Sequence, residues 1–450
     1  MDVAVLGATG DVGRQICAQL IERRVLPPTS RLQLVGRSGG ASASATHGLR
    51  ADLIDAYDEH APLIDAALRP EDVVADVVVM AAGLTAPARA GGSVDRNALA
   101  AANARVFASY ADAIARYGSG HEVVIVVSNP VELGVDVVAR RLDRHRVIGM
   151  GAWLDTLRFR REIAASLGVR RQRVGGFVVG QHGNGAVPLW SSVRIRGLDT
   201  AERIAAMATL RGDRTFATFV DEIRQATHTL DDIATLDVEQ AFATIDSWPP
   251  DLRVVARPWM THQSGSKTAN GTAGAAVDLV DTVLDGRDIV VAGQVRLEGE
   301  ISLLGSPVAG VLGVPVVLGP EGWRRVLLDP LAADEEALLA ASARSIAAVV
   351  DSVAATVEPV VCARREEDDY AEQIEWIADV RGADQTGTLT ALASVFSSRG
   401  VNFESFATLD VADGVGAMRI AFTSSPRLQR VLARTIDRLA VIESVTMRRA

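Results

Sequence analysis

A short apolar segment followed by three evenly spaced glycines constrains the fold of this chain more than any other feature. Residues 3–6 are apolar, and Gly7, Gly10 and Gly13 follow as a helical pattern begins. Glycine permits a tight turn close to a ligand, and a helix N-terminus offers free N–H groups to phosphate. The segment therefore predicts a nucleotide-binding turn, unless the glycines only pack the helix on the strand. The predicted contacts are Gly7, Thr9, Gly10, Asp11, Val12 and Gly13.

Further apolar segments alternate with helical ones. Residues 32–35, 76–80 and 122–127 are strand candidates, and an Ala-rich helical pattern covers 97–117. Buried strands that alternate with helices are typical of a parallel sheet covered on both faces. We predict an α/β fold class, with a doubly wound Rossmann domain over 1–148.

The rest of the chain predicts two more units. Residues 149–358 mix strand and helix patterns and predict an α+β catalytic domain. Residues 359–372 contain the charge run REEDD, which is typical of a solvated linker. Residues 373–450 follow the order strand, helix, strand, strand, helix, strand, which predicts a ferredoxin-like sandwich.

Composition excludes several classes of protein. The 450 residues are too many for one compact core, and the net charge of −10 argues against a nucleic-acid partner. Cys17 and Cys362 lie far apart and in no metal-ligand spacing, so we predict neither a disulfide framework nor a metal site. No secretory signal and no run of about 20 apolar residues is visible. We expect a soluble cytoplasmic protein without a membrane partner.

The residues after the second strand bear on the choice of cofactor. An NAD site places an acid there for the ribose hydroxyls, whereas this chain has Gly36, Arg37 and Ser38. A guanidinium pairs well with a 2′-phosphate, and no carboxylate is present to repel it. We predict NADP in preference to NAD. If Arg37 is solvated or stacks on adenine, NAD or dual use follows instead.

Three later segments carry residue types suited to acid–base chemistry. Asn129 comes directly after the fourth strand, at the sheet edge where ligands bind. Asp155 and Arg158 are three apart and are therefore neighbours on a helical face. His182 lies between glycines after an apolar strand. Each has a structural alternative, namely an Asn-Pro turn, a surface ion pair and a structural histidine.

Taken together, these segments resemble the lactate/malate dehydrogenase family. The matching stretches are GATGDVG, VVVMAAG, VVSNPVE, GMGAWLDTLRFR and VVGQHGNGAVPLW, in the family's order over about residues 1–195. The resemblance implies an enzyme that exchanges hydride between NADP(H) or NAD(H) and a 2-hydroxy or 2-oxo acid, assembled as a homodimer or homotetramer. It also implies cofactor contacts at Ala82, Gly83, Asn103 and Val127.

By position, the resemblance implies a role for each candidate. His182 is the general acid/base, and Asp155 holds its other ring nitrogen and stabilises the imidazolium. Arg158 binds the substrate carboxylate with its forked guanidinium. Asn129 hydrogen-bonds the substrate hydroxyl, and Arg96 matches a loop arginine that polarises the carbonyl and excludes water.

The sequence departs from the family pattern near the substrate. Gln181 and Asn184 replace the usual acids around the histidine, and the loop over 84–95 is longer than is typical. Malate enzymes bind the second carboxylate with an extra arginine in that loop, and Arg89 is the candidate here. If Arg89 points inward, the substrate is a dicarboxylate such as oxaloacetate, which we favour. If it points outward, a monocarboxylic or bulkier 2-oxo acid is expected.

The C-terminal unit resembles an ACT regulatory domain in its element order and in the segment 384–389 (DQTGTL). Such domains pair their sheets and bind amino acids between the first strand and the first helix, so the resemblance implies an amino-acid effector. A dimerisation module without a ligand is the alternative. For the whole chain, the alternative to an enzyme is a nucleotide-binding regulatory protein that has lost the reaction.

Overall fold

The computed structural model describes residues 1–27, 30–84, 96–354, 357, 373–397, 401–424, 426–437, 439 and 441–450. Its strands are β1 (Val3–Leu6), β2 (Arg31–Val35), β3 (Leu63–Ala67), β4 (Val77–Met80), β5 (Val123–Val126), β6 (Val147–Gly149), β7 (Val174–Gly180), β8 (Ala186–Ile195), β9 (Ile289–Leu303), β10 (Ser306–Gly319), β11 (Gly322–Val326), β12 (Ile374–Ala383), β13 (Phe403–Ala412), β14 (Val415–Ser424) and β15 (Ile442–Arg449). Its helices are α1 (Asp11–Glu22), α2 (Gly40–Ala56), α3 (Arg96–Tyr117), α4 (Val131–Ala139), α5 (Gly151–Leu167), α6 (Thr200–Arg211), α7 (Phe219–Ala234), α8 (Val238–Asp246), α9 (Pro250–Gln263), α10 (Ala269–Asp285), α11 (Ala333–Ala354), α12 (Thr388–Ser397) and α13 (Pro426–Asp437).

A nine-stranded sheet organises the first 354 residues. Its order is β11-β10-β9-β6-β5-β4-β1-β2-β3, and β1 to β6 run parallel. The six parallel strands have the order 3-2-1-4-5-6, which is that of a dinucleotide-binding sheet. β1, β4 and β5 are buried along their whole length because helices cover both faces. The predicted doubly wound Rossmann sheet is confirmed.

The same sheet continues into the second half of the chain. Residues 289–303 form one long strand, β9, which pairs with β10 as an antiparallel hairpin. β9 joins β6 through the pair Gly149 and Gln294. The strands after residue 149 therefore extend the first sheet, and the predicted unit boundary at 148 falls within β6.

A smaller core lies beside the sheet, where α5, the hairpin β7–β8 and the helices α6, α7 and α9 pack together. Its largest buried side chains are aromatic: Phe159, Trp190, Phe216 and Phe219. The ring of Phe159 meets that of Trp190 edge to face at 5.3 Å. This core anchors α5, the helix that carries Asp155.

Among the described residues, no helix is long and apolar enough to cross a bilayer.

Residues 373–450 form a four-stranded antiparallel sheet of order β13-β14-β12-β15, with α12 and α13. The predicted order of strands and helices is confirmed, and the topology is that of a ferredoxin-like sandwich. Trp376, Phe396, Ile420 and Phe422 fill the core between the sheet and the helices. Every residue of the edge strand β13 is exposed.

Candidate active site

A cleft of about 700 Å³ opens at the carboxyl ends of β1, β2 and β4. Gly7 adopts φ +77° at its floor, and a Cβ there would lie 2.8 Å from the carbonyl oxygen of Ala81. Only glycine fits this position, because the backbone conformation is left-handed and the space is filled. The glycine turn and the start of α1 thus form an open cradle with the shape and donors that a pyrophosphate requires.

Most of the predicted cofactor residues lie at this cleft. The lining includes Gly7, Thr9, Gly10, Gly36, Arg37, Ser38, Ala82 and Gly83. It also includes Ser42, Arg105 and Tyr110, which the sequence analysis did not identify. Ser42 accepts a hydrogen bond from the backbone N–H of Arg37 at 3.0 Å. Ser42 lies in α2, and Arg105 and Tyr110 lie in α3. The helical periodicity of these two segments is the signal that identifies residues facing the cleft. The Ser/Ala-rich segment 38–46 gives no clear sign of where α2 begins.

The other predicted cofactor residues are absent from the lining: Asp11, Val12, Gly13, Asn103 and Val127. Asp11 pairs with Lys267 Nζ at 2.8 Å. Asn103 is fully buried, and its amide bonds the backbone N–H and carbonyl of Leu84 at 2.6 and 3.0 Å and the carbonyl of Asn129 at 2.7 Å. Asn103 therefore ties together the loops that follow β4 and β5. Direct cofactor contact by these five residues stays a prediction.

The imidazole of His182 is held by the carboxylate of Asp155. His182 lies in the turn after β7, and Asp155 lies in the second turn of α5. His182 Nδ1 is 2.8 Å from Asp155 Oδ2, which also accepts from the backbone N–H of Gly183 at 3.2 Å. A carboxylate partner fixes Nδ1 as the protonated nitrogen of the neutral ring, so Nε2 is left to exchange a proton with a ligand.

Arg158 completes this constellation from the next turn of α5. Its Nη1 lies 3.0 Å from Asp155 Oδ1, and the two side chains are 13 % and 3 % exposed. The alternative of a surface ion pair is therefore wrong. Arg158 also lines a cleft of about 320 Å³ between α5 and α10. The carboxylate of Asp155 thus joins an imidazole on one oxygen and a guanidinium on the other.

The charges of this cluster shift one another. Burial favours neutral Asp155, but His182 and Arg158 outweigh it and hold the pKa of this carboxyl below its ordinary value. Burial likewise favours the neutral imidazole, yet the Asp155 carboxylate outweighs it and raises the pKa of His182. Burial lowers the pKa of Arg158, although a guanidinium stays charged at neutral pH. The Asp155 carboxylate therefore favours the protonated form of the imidazole.

The remaining predicted substrate residues are placed only in part. Asn129 follows β5 with an exposed side chain. Arg96 is the first residue of α3, but its side chain lies outside the part of the chain that the structure describes. Arg89 lies within 85–95, also outside the described residues.

Several residues that support His182 were missed. Glu132 on α4 accepts a hydrogen bond from the backbone N–H of His182 at 2.6 Å. Ser342 on α11 accepts from the backbone N–H of Gln181 and donates to the carbonyl of Gly185, both at 2.8 Å. A Cβ on Gly151 would lie 2.6 Å from the imidazole Cγ. One signal existed, because Glu132 is a charged residue in the otherwise apolar start of α4.

Comparison with known proteins identifies the family. The models described as lactate/malate dehydrogenase, NAD binding domain, and lactate/malate dehydrogenase, alpha/beta C-terminal domain, match residues 1–149 and 152–230. Malate dehydrogenase of Halobacterium salinarum is 29 % identical over 361 residues, covering 78 % of this chain and 99 % of that protein. An L-2-hydroxycarboxylate dehydrogenase (NAD(P)(+)) of Methanocaldococcus jannaschii is 32 % identical over 213 residues, covering 44 % of this chain and 62 % of that protein.

Solved structures agree on the fold. Malate dehydrogenase of Cryptosporidium parvum has a TM-score of 0.60 at 22 % identity and covers 79 % of this chain and 99 % of its own. The Rossmann sheet and its glycine cradle define the general class, an α/β protein with a dinucleotide-binding fold. More particularly, the chain belongs to the lactate/malate dehydrogenase family, whose N-terminal model is described as binding NAD.

Proposed function

We propose that this protein is an NADP(H)- or NAD(H)-dependent 2-hydroxy acid dehydrogenase, with malate and oxaloacetate as the favoured pair. The observation that carries the proposal is the buried hydrogen-bonded chain from His182 through Asp155 to Arg158. It supplies an acid–base group and a carboxylate-binding group within one network, next to the sheet edge where ligands bind.

The side chains divide the reaction as follows. A bound nicotinamide cofactor supplies the donor or acceptor of hydride. His182 gives a proton from Nε2 to the carbonyl oxygen of a 2-oxo acid, or takes one from the hydroxyl of a 2-hydroxy acid. Asp155 stays ionised and stabilises the imidazolium. Arg158 holds the substrate carboxylate through the part of its guanidinium that does not bond Asp155, and Asn129 orients the hydroxyl.

For the cofactor, we propose a preference for NADP(H) over NAD(H). Arg37, Ser38, Ser42 and Arg105 give the cleft two cations and two hydroxyls. No acidic side chain appears among the described residues that line it. A 2′-phosphate finds charge and donors in such surroundings, whereas a ribose without it lacks the usual carboxylate acceptor.

The cofactor proposal is tested by steady-state kinetics with NADPH and NADH on wild-type protein and Arg37→Ala. Losing one charge-assisted contact is expected to raise KM for NADPH about tenfold. NADH serves as the matched control, because it has no phosphate for Arg37 to hold. Preference for NADH in the wild type, with no effect of Arg37→Ala, contradicts the proposal.

The activity itself is tested with a panel of mono- and dicarboxylic 2-oxo acids and both reduced cofactors. Oxaloacetate is the expected best substrate, and preference for a bulkier monocarboxylic acid indicates that Arg89 does not bind a second carboxylate. His182→Asn removes the acid–base group and is expected to abolish reduction while cofactor binding, followed by quenching of protein fluorescence, is kept. Full activity of His182→Asn rules out the mechanism.

For residues 373–450, we propose an ACT-like module that pairs with a second copy of this chain. The described edge strand β13 carries exposed Phe403, Phe406, Leu409 and Val411. An exposed apolar edge strand is a template for pairing with another strand. We also propose that 1–148 and 149–358 act as the dinucleotide-binding and catalytic units on one shared sheet, that 359–372 is a linker, and that 373–450 binds an amino-acid effector.

Light scattering on the full chain tests the pairing. Phe406→Lys is expected to shift the mass toward a smaller assembly or weaken association about tenfold, because it places a charge in an apolar interface. Thr408→Lys on the same strand adds the same charge without removing an apolar side chain, and a smaller effect is expected. An unchanged mass for Phe406→Lys at dilute concentration contradicts pairing through β13.

A further inference from the structure

A second buried carboxylate, Glu132 on α4, supports the His182 turn in addition to Asp155. Glu132 is 5 % exposed, and its Oε1 accepts from the backbone N–H of His182 at 2.6 Å. Asp155 holds the ring of His182, so the two carboxylates grip different parts of one residue. The hydrogen bond from the backbone N–H to Glu132 fixes the position of the His182 backbone. The hydrogen bond between Nδ1 and Asp155 fixes the orientation of the imidazole ring.

Glu132 is itself held by a second network. Gln294 on β9 donates from Nε2 to Glu132 Oε1 at 3.4 Å, and its own Oε1 accepts from the backbone N–H of Ala152 at 3.0 Å. Ala152 lies in the first turn of α5, one turn before Asp155. The bonds therefore connect the helix that carries Asp155 with the turn that carries His182.

The negative charge of Glu132 also acts electrostatically on the imidazole of His182. Among the residues that the structure describes, the charged groups that act on the ring are Asp155 and Arg158 from α5 and Glu132 from α4. Burial raises the pKa of Glu132 above its ordinary value and the Asp155 carboxylate adds to that rise, while the backbone N–H and the imidazole of His182 oppose it. Its place in the first turn of α4 favours the ionised form further, because the N-terminal end of a helix is positive.

We propose that Glu132 is a positioning residue for His182, whose ionised carboxylate anchors the backbone of the acid–base turn and supports the imidazolium together with Asp155. The proposal rests on the dehydrogenase function proposed above. Glu132 does not touch the substrate, and it acts only through His182. Its two contributions, anchoring and charge, are separable by substitution.

Two variants separate them. Glu132→Gln keeps the length and an acceptor oxygen but loses the charge. It is expected to lower the midpoint of the pH profile of oxo-acid reduction by about one pH unit, with little loss at the acid plateau. Glu132→Asp keeps the charge but is one methylene too short for the His182 N–H. It is expected to lower kcat about tenfold with little change of the midpoint.

Asp136→Asn is the matched control. Asp136 is a buried carboxylate on the same helix, and it pairs with Arg140 and Arg296 instead of His182, each at 2.6 Å. Its loss is expected to reduce stability without moving the pH midpoint. A merely structural role for Glu132 predicts that Glu132→Gln behaves in the same way.

A second measurement does not need turnover. Ring-proton NMR follows the titration of His182 in the free protein, and the His182→Asn variant assigns its signal among the seven histidines. A downward shift in Glu132→Gln with none in Asp136→Asn supports the proposal. Superimposable titrations of wild type and Glu132→Gln overturn it. Absence of oxo-acid reduction in the wild type refutes the dehydrogenase function instead, and the NMR comparison still decides the role of Glu132.

Discussion

Replacing Asp155 by Asn removes one negative charge beside the imidazole and leaves the shape of the side chain nearly unchanged. Three donors converge on this carboxylate: His182 Nδ1 at 2.8 Å, Arg158 Nη1 at 3.0 Å and the N–H of Gly183 at 3.2 Å. An Asn amide has one acceptor oxygen and brings donors of its own. At least one of the three donors then faces an amide N–H instead of an acceptor oxygen. The substitution therefore favours the neutral tautomer that carries its proton on Nε2 and not on Nδ1.

The lost charge sets the size of the effect. Two unit charges about 5 Å apart attract by about 3 kcal/mol at an effective dielectric constant of about 20. Solvent screens this pair little, since the side chains of Asp155 and His182 are 3 % and 18 % exposed. A loss of about 3 kcal/mol in stabilising the imidazolium corresponds to a fall of about 10²-fold in kcat/KM for hydroxy-acid oxidation, where the imidazolium forms as the proton leaves the substrate.

Steady-state rates in both directions, measured from acidic to alkaline pH, check this reasoning. In the reduction direction the Asp155→Asn defect is expected to shrink as the pH falls, because acid restores the protonated ring. Glu162→Gln is the control, since Glu162 is a buried carboxylate two turns further along α5 that pairs with Arg253 and Arg257. Wild-type rates and an unchanged pH profile in Asp155→Asn refute the role of the charge.

Three further outcomes are expected. Gly151→Ala places a Cβ 2.6 Å from His182 Cγ and displaces the ring. We expect kcat/KM to fall about 10²-fold, while calorimetry shows a nearly unchanged melting temperature. Full activity of this variant contradicts the prediction. Asn103→Leu removes the three hydrogen bonds that the fully buried Asn103 amide makes to the backbone of Leu84 and Asn129, which lowers the free energy of unfolding in urea titrations by about 2 kcal/mol or more. In the wild type, the raised pKa of His182 means that reduction declines as the pH rises through that pKa, whereas hydroxy-acid oxidation increases over the same range. A parallel response of both directions is inconsistent with one acid–base group.

Four strands of the parallel sheet, β1, β2, β4 and β5, were predictable because they are apolar runs that end in glycine or polar turns. Alternation with helices then predicts that they run parallel, but it does not give their order in the sheet. The join between β6 and β9 was not predictable in the same way, since Gly149 and Gln294 are paired across almost a third of the chain. Strand partners over such separations are chosen by tertiary packing, which local periodicity does not encode.

The candidate site also contains residues that the sequence could predict and residues that it could not. His182, Asp155 and Arg158 were predictable because their side chains carry the chemistry and their spacing places two of them on one helical face. Glu132 and Ser342 act through backbone bonds to the His182 turn, and such bonds leave no pattern of residue types in the sequence. Asn103 is an intermediate case, since it was predicted at the cofactor site but is engaged with two loop backbones.

The charges around the imidazole also bear on the order of events. With Glu132 ionised as proposed, the two carboxylates and Arg158 leave one net negative charge beside a neutral ring, and a proton on His182 cancels it. A substrate carboxylate bound at Arg158 restores a negative charge even when the ring is protonated. Buried charges are costly unless balanced, so an anionic substrate strengthens the hold of His182 on its proton. Binding of a 2-oxo acid therefore favours the protonation state that reduction consumes.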